Sequence, residues 1–273
     1  MNHGNDPIVG AKVLVTGASS GIGRALSLRL AAAGARLAVA ARRLHLLAEL
    51  AGEIEEAGLP GPAVLETDLS VPGRAAQLGG LAIEALGGID ILVNNAGASA
   101  TGPMTALGDG QQARALFETN VWAPLALARA AVPEMRAAGG GLVVNVTSTI
   151  QAVPLPLLGY YSASKAALAQ ATRSLRLELA GTRVRVLEVI PGGTDTALRD
   201  VGELPWRESP PRMIPPVSAD SVANAIVRAI RRGTRRVVYP PYSLLPIELP
   251  VVGRAVARAA TTRVDTAGAL ERQ

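Results

Sequence analysis

Tyr161 and Lys165 stand four residues apart, a spacing that puts both side chains on one face of a helix. The chain has four tyrosines and two lysines, Lys12 and Lys165, among 273 residues, so chance would give even one such pair only about 3% of the time. A free phenol, with a pKa near ~10, is poorly matched to proton transfer at neutral pH, and a neighbouring ammonium favours its phenolate. Moving that pKa by about 2 to 3 units takes ~3–4 kcal/mol of differential stabilisation, which a partly dehydrated cleft can supply. The pair is therefore suited to exchanging a proton with an oxygen whose charge changes during a reaction. Tyr160, with Ser164 at the same spacing, is the weaker candidate. Ser148 lies 13 residues before Tyr161 and ends the apolar run Leu142-Val-Val-Asn-Val-Thr-Ser. Its hydroxyl can donate to a developing oxyanion; Thr147 and Thr149 flank it.

A second constellation, Thr16-Gly-Ala-Ser-Ser-Gly-Ile-Gly23, follows the strand-like Val13-Leu14-Val15 and precedes a helical run. Glycines at such a place let the backbone turn tightly and approach a pyrophosphate, whose charge the helix N-terminus stabilises. Bringing these groups together requires alternating strands and helices. Apolar runs at 13–15, 37–40, 63–65, 89–93, 141–146, 184–190 and 236–239 alternate with helical patterns near 22–33, 43–57, 72–86, 111–138, 160–180 and 218–232. The rhythm predicts a single Rossmann-like α/β domain, a doubly wound, seven-stranded parallel sheet with helices on both faces. Ligands of such sheets bind beyond the carboxyl ends of the strands, where the glycine loop and Ser148 both fall.

The spacing TGxxxGxG differs from the GxGxxG of ordinary dinucleotide domains. Together with Asp68-Leu69, Asn94-Asn-Ala-Gly97, Ser148 and Tyr161-Ser-Ala-Ser-Lys165, in that order, it resembles the short-chain dehydrogenase/reductase family over roughly residues 10–240. The resemblance implies a nicotinamide dinucleotide cradled by Gly17, Ser19, Ser20, Gly21, Ile22 and Gly23. Asp68 and Leu69 would meet the adenine, and Asn94, Ala96 and Gly97 the adenosine and ribose. Lys165 would hold the nicotinamide ribose. Tyr161 would be the acid in reduction and the base in oxidation, with Ser148 on the substrate carbonyl and Asn120 supporting a water relay to the lysine. Pro191-Gly192-Gly-Thr194-Asp-Thr196 resembles the family's PGxVxT segment, with Thr194 in place of the usual Val; Thr196 would reach the carboxamide and Pro191 shape its pocket.

Cofactor choice is read at the end of the second strand, where an acid selects NAD and a cation accommodates the extra phosphate of NADP. Here Ala40-Ala41-Arg42-Arg43 offers no acid. Arg42 suits a bidentate phosphate contact, with Arg43 an alternative or a stacking partner for the adenine, so NADP(H) is expected.

Composition narrows the partners. The chain is 49% hydrophobic and 18% charged, with no cysteine and two histidines, which argues for a folded protein without disulfide or metal chemistry and agrees with a reducing cytoplasm. The pI of 10.2 reflects an excess of Arg over acids with few groups titrating above neutrality. At a net charge of +5 and 3% aromatic content, nucleic-acid binding is not expected. No apolar run is long enough to span a bilayer, and the first residues lack the pattern of a signal peptide. Residues 7–240 read as the cofactor-binding domain, with 192–217 a specificity lid carrying Leu198, Val201, Leu204, Trp206, Met213 and Ile214. An apolar carbonyl or secondary alcohol is the expected substrate. A 3-oxoacyl-carrier-protein reductase-like enzyme is the alternative, and a non-catalytic dinucleotide-binding sensor or scaffold the reading from another class. Residues 241–273 form an extension whose apolar stretch is expected to pack on its own protomer or a neighbour, while Arg231–Arg236 upstream also admits weak contact with an anionic membrane. The Ala/Leu-rich helices near 111–138 and 160–180 correspond to family interfaces, so a homodimer or homotetramer is expected.

Overall fold

The computed structural model describes residues 6–195, 204–207 and 216–271. Nine strands are β1 (Lys12–Thr16), β2 (Arg36–Ala41), β3 (Ala63–Glu66), β4 (Ile91–Asn94), β5 (Gly141–Val146), β6 (Val184–Pro191), β7 (Thr194–Asp195), β8 (Val217–Ser218) and β9 (Arg236–Tyr239) among the described residues. Seven of them form one parallel sheet in the order β3-β2-β1-β4-β5-β6-β9; β7 and β8 pair separately. The helices are α1 (Gly21–Ala32), α2 (Leu44–Glu56), α3 (Arg74–Leu86), α4 (Met104–Leu107), α5 (Gln111–Phe117), α6 (Ala123–Ala137), α7 (Gly159–Glu178), α8 (Ala219–Arg232), α9 (Leu244–Glu248), α10 (Pro250–Thr261) and α11 (Thr266–Glu271).

Because strand side chains alternate between faces, each inner strand feeds two cores. Val13, Val15, Val39, Val93 and Val144 pack with α1, α2 and α8. Leu14, Ala38, Leu92, Val143 and Val186 pack with α3, α6 and the end of α7. The chain direction across the sheet reverses between β1 and β4, which opens a crevice at their carboxyl ends. A polar row crosses the sheet beneath α7, where Asn94, Asn145, Glu188 and Arg236 occupy matching register positions. Asn94 donates to Asn145 Oδ1 at 2.8 Å, and Asn145 donates to Thr172 Oγ1 of α7 at 2.8 Å. Both asparagines are buried; the amide of Asn145 ties α7 to the sheet through Thr172, whereas Asn94 Oδ1 has no hydrogen-bond partner among the described residues.

Two segments differ from the pattern read in the sequence. The helix expected over 111–138 is broken into α5, a π-helical turn at Glu118–Trp122, and α6. Pro124 supplies the cause, since it has no N–H to donate to the carbonyl of Asn120 and cannot continue the α-helical ladder. The proline-punctuated stretch after Tyr239 folds into α9, α10 and α11, with Pro250 opening α10, a position where a missing N–H costs nothing.

Candidate active site

The glycine loop sits at the crevice, between β1 and α1. Gly17 has φ +67 and Gly21 φ +55, conformations that L side chains rarely adopt. Close packing adds to the demand, because a Cβ on Gly17 would stand 2.8 Å from Ala96 Cα and one on Gly23 2.3 Å from the Gly17 carbonyl. Asn95 clasps the loop, donating from Nδ2 to the carbonyls of Thr16 at 2.9 Å and Gly17 at 3.3 Å. Thr16 answers by accepting at Oγ1 from the N–H groups of Asn95 and Ala96. Neither Thr16 nor Asn95 was singled out from the sequence; a threonine ending β1 and the doubled asparagine after β4 were the available signals. Ser20, at the N-cap of α1, makes no side-chain cap bond, so the first-turn N–H groups are open to an anion.

Beside the loop, Arg43 donates from Nη2 to Ser19 Oγ at 3.1 Å and Ser20 Oγ at 2.7 Å. Arg42 is exposed at the end of β2. Asp68 accepts at Oδ1 from the N–H (2.9 Å) and hydroxyl (2.7 Å) of Ser70. Burial works to raise its carboxyl, but the two Ser70 bonds and the charge of Arg42 outweigh it and hold Asp68 below the usual carboxylate range. The open helix N-terminus, the crowded glycines and the two arginines without an acid fit a dinucleotide bearing an extra phosphate.

The reactive groups lie on the other side of the crevice. Ser148 follows β5 and caps the short turn Thr149–Gln151, its Oγ accepting from the Ile150 N–H at 3.3 Å. Tyr161 lies in the first turn of α7, and Lys165 Nζ stands 5.9 Å from the centre of its ring. Lys165 is 2% exposed and donates to the Val146 carbonyl at 3.1 Å. Burial lowers its pKa to about 8, since leaving water penalises the ammonium. At pH 7 it remains mostly charged, which brings a cation into contact with the phenol face.

Asn120 is wholly buried in the π-helical turn. Its side chain is committed: Oδ1 accepts from the Ala98 N–H, and Nδ2 donates to the Ala98 carbonyl and to Ser164 Oγ, all within 2.8–2.9 Å. The Nδ2 of Asn94 donates within the polar row and to the Pro124 carbonyl at 3.3 Å, leaving its Oδ1 without a partner among the described residues, while Leu69 is buried behind Asp68. Ala96 and Gly97 lie in the loop after β4, with Ala96 against Gly17. Pro191 ends β6, Gly192 follows it, and Thr194 Oγ1 donates to the Gly192 carbonyl at 3.0 Å. Thr196 lies outside the described residues, as do Leu198, Val201, Met213 and Ile214 of the expected lid. Ile22, in the first turn of α1, faces the core.

Apolar side chains surround Tyr161. Ile150, Leu158, Leu204 and Val264 form a buried cluster on which Tyr161, Leu155, Leu157 and Trp206 pack. Leu157 has φ +65, a strained conformation for a branched residue, and its carbonyl accepts from the Gly102 N–H at 2.8 Å.

A doubly wound sheet with an anion-receiving glycine loop at its crevice, facing a phenol paired with a buried ammonium, defines an oxidoreductase of the dinucleotide-binding class. The family model described as short chain dehydrogenase matches residues 11–203. The chain is 33% identical over 248 residues to 11-beta-hydroxysteroid dehydrogenase 1A of Arabidopsis thaliana, covering 87% of this chain and 70% of the relative. Among solved structures, a short chain dehydrogenase/reductase from Burkholderia phymatum in complex with NAD superposes with a TM-score of 0.78 at 26% identity, covering 89% of this chain and 93% of that one. A short chain dehydrogenase from Burkholderia cenocepacia J2315 in complex with NADP gives 0.73 at 29%, covering 92% and 97%. The chain belongs to the short-chain dehydrogenase/reductase family.

Proposed function

We propose that the protein is an NADP(H)-dependent carbonyl reductase or secondary-alcohol dehydrogenase acting on an apolar substrate. The observation that carries this reading is Lys165, a wholly buried cation held against Tyr161. Bound in the crevice, the cofactor would supply or accept a hydride. Arg43 and Arg42 would receive its 2′-phosphate, the first turn of α1 its pyrophosphate, and Asp68 its adenine. Ser148 donates to the substrate oxygen, and Tyr161 gives that oxygen a proton in reduction and removes it in oxidation. Lys165 favours the phenolate through its charge. The Ile150, Leu158, Leu204 and Val264 cluster favours an apolar body on the reacting carbon, in keeping with the steroid named for the Arabidopsis relative.

Replacing Tyr161 by Phe should leave NADPH binding intact, measured by fluorescence titration, and remove turnover of a ketone panel. Undiminished turnover would refute the assignment. A homo-oligomer through α5, α6 and α7, with Leu177 of α7 78% exposed, belongs to the same reading and is checked by light scattering on the eluting protein. The lack of cysteine suits a reducing cytoplasm. No helix among the described residues is long and apolar enough to cross a membrane.

A further inference from the structure

The apolar cluster at Tyr161 is assembled from three distant parts of the chain, 150–161, 204–206 and Val264, and Val264 lies 61 residues beyond the last residue that the family model matches. Residues 205–207 and 263–265 run antiparallel. Arg207 N–H donates to the Arg263 carbonyl and Asp265 N–H to the Pro205 carbonyl, each at 2.8 Å. These bonds flank the pair Trp206 and Val264, so the two sit opposite each other at a position without mutual hydrogen bonds, where side chains approach most closely. Val264 is 1% exposed and Leu204 4%. The ribbon is held at its end as well: Asp265 Oδ1 accepts from the Gly268 N–H in the first turn of α11. A second attachment lies in α10, where a Cβ on Gly253 would stand 3.2 Å from the Ala152 carbonyl, four residues after Ser148.

We propose that residues 263–265 fix the substrate wall of the same subunit, with Val264 a positioning residue that sets, through Trp206, Ile150 and Leu158, how large an apolar group fits beside Tyr161. The proposal rests on the carbonyl-reductase reading. Its logic is that of a packed core, in which a methyl group added or removed on one side of a layer moves the layer. Among the described residues Val264 packs in the cluster at Tyr161 and apart from the core that holds Ala18 and Ile22 of the glycine loop, so dinucleotide binding should be unaltered.

The test uses Val264→Ala and Val264→Ile in the full-length protein, with acetophenone, butyrophenone and a fused-ring aryl ketone as probes and NADPH as reductant. Circular dichroism checks the fold of both variants. The ratio of kcat/KM for the bulky ketone to that for acetophenone should rise about tenfold in Val264→Ala and fall in Val264→Ile, with the KM for NADPH unchanged. Ratios that stay constant, or move the same way in both variants, overturn the proposal. The activity reading fails separately, if the wild-type protein turns over none of the ketones. The wall is then judged by the same ratio in dissociation constants, from quenching of Trp206 in a Trp122→Phe background: opposite shifts in the two variants support it, and equal values overturn it.

Discussion

Replacing Lys165 by Met removes the buried charge while keeping an unbranched stem of similar length. The lysine's pKa falls from 10.5 to about 8 on folding. At pH 7 that depression corresponds to about 3 kcal/mol of lost stability, the cost of folding around an ammonium that prefers water. Because the folded pKa lies below the unfolded one, the unfolded chain holds more protons between pH 8 and 10.5. The penalty is thus full below about pH 8 and fades as the pH climbs to 10.5. Methionine also gives up the bond to the Val146 carbonyl, worth about 1 kcal/mol. The net expectation is a variant about 2 kcal/mol more stable at pH 7, or ~4–8 °C in Tm at ~2–4 °C per kcal/mol for a chain of this size, and without turnover. Thermal unfolding of cofactor-free wild-type and Lys165→Met protein, followed by circular dichroism at pH 7, 9 and 10.5, measures it. A variant less stable than wild type at pH 7, or a gap that does not close toward pH 10.5, refutes the reasoning.

Arg43→Ala should weaken NADPH binding about tenfold or more, as expected for loss of a charge-assisted bond, and leave NADH affinity nearly unchanged; titration of both cofactors decides it. Asn120→Leu should destabilise the fold by about 2–4 kcal/mol, since it takes the side-chain partner from the part-buried N–H and carbonyl of Ala98 and one bond from Ser164, whose hydroxyl keeps the Tyr161 carbonyl, measured by urea unfolding. Gly253→Ala should force α10 away from Ala152 and raise the KM for ketones more than the KM for NADPH, because the added Cβ meets two backbone carbonyls.

The Tyr161–Lys165 pair and the glycine loop were legible because their chemistry depends on spacing along one helix or one turn. The sheet was legible because its strands are continuous apolar runs. Asn120 was visible as a residue type, but its commitment to Ala98 depends on where Pro124 breaks the helical ladder, an effect that composition averages away. Arg43 could not be told from Arg42 as the loop's neighbour, since both have long side chains and the choice is made by two serine hydroxyls more than twenty residues away. The helices after Tyr239 were not legible in the sequence, where prolines punctuate the apolar stretch, although Pro250 marks a helix start. The pairing of Trp206 with Val264 left no local signal, since the two residues lie 58 positions apart.

That remoteness has a kinetic consequence. Val264 meets Trp206 across 58 residues and Ile150 across 114, so the loop-closure entropy of both contacts must be met before either gives anything back. Four of the sheet's pairings, β1–β2, β2–β3, β4–β5 and β5–β6, join residues 24 to 51 positions apart and can form while residues 263–265 are still unplaced. The wall beside Tyr161 is therefore expected to form after those pairings. Changes at Val264 should speed unfolding while leaving the refolding rate almost unaltered, and a newly made chain would hold its dinucleotide crevice before it could discriminate among substrates.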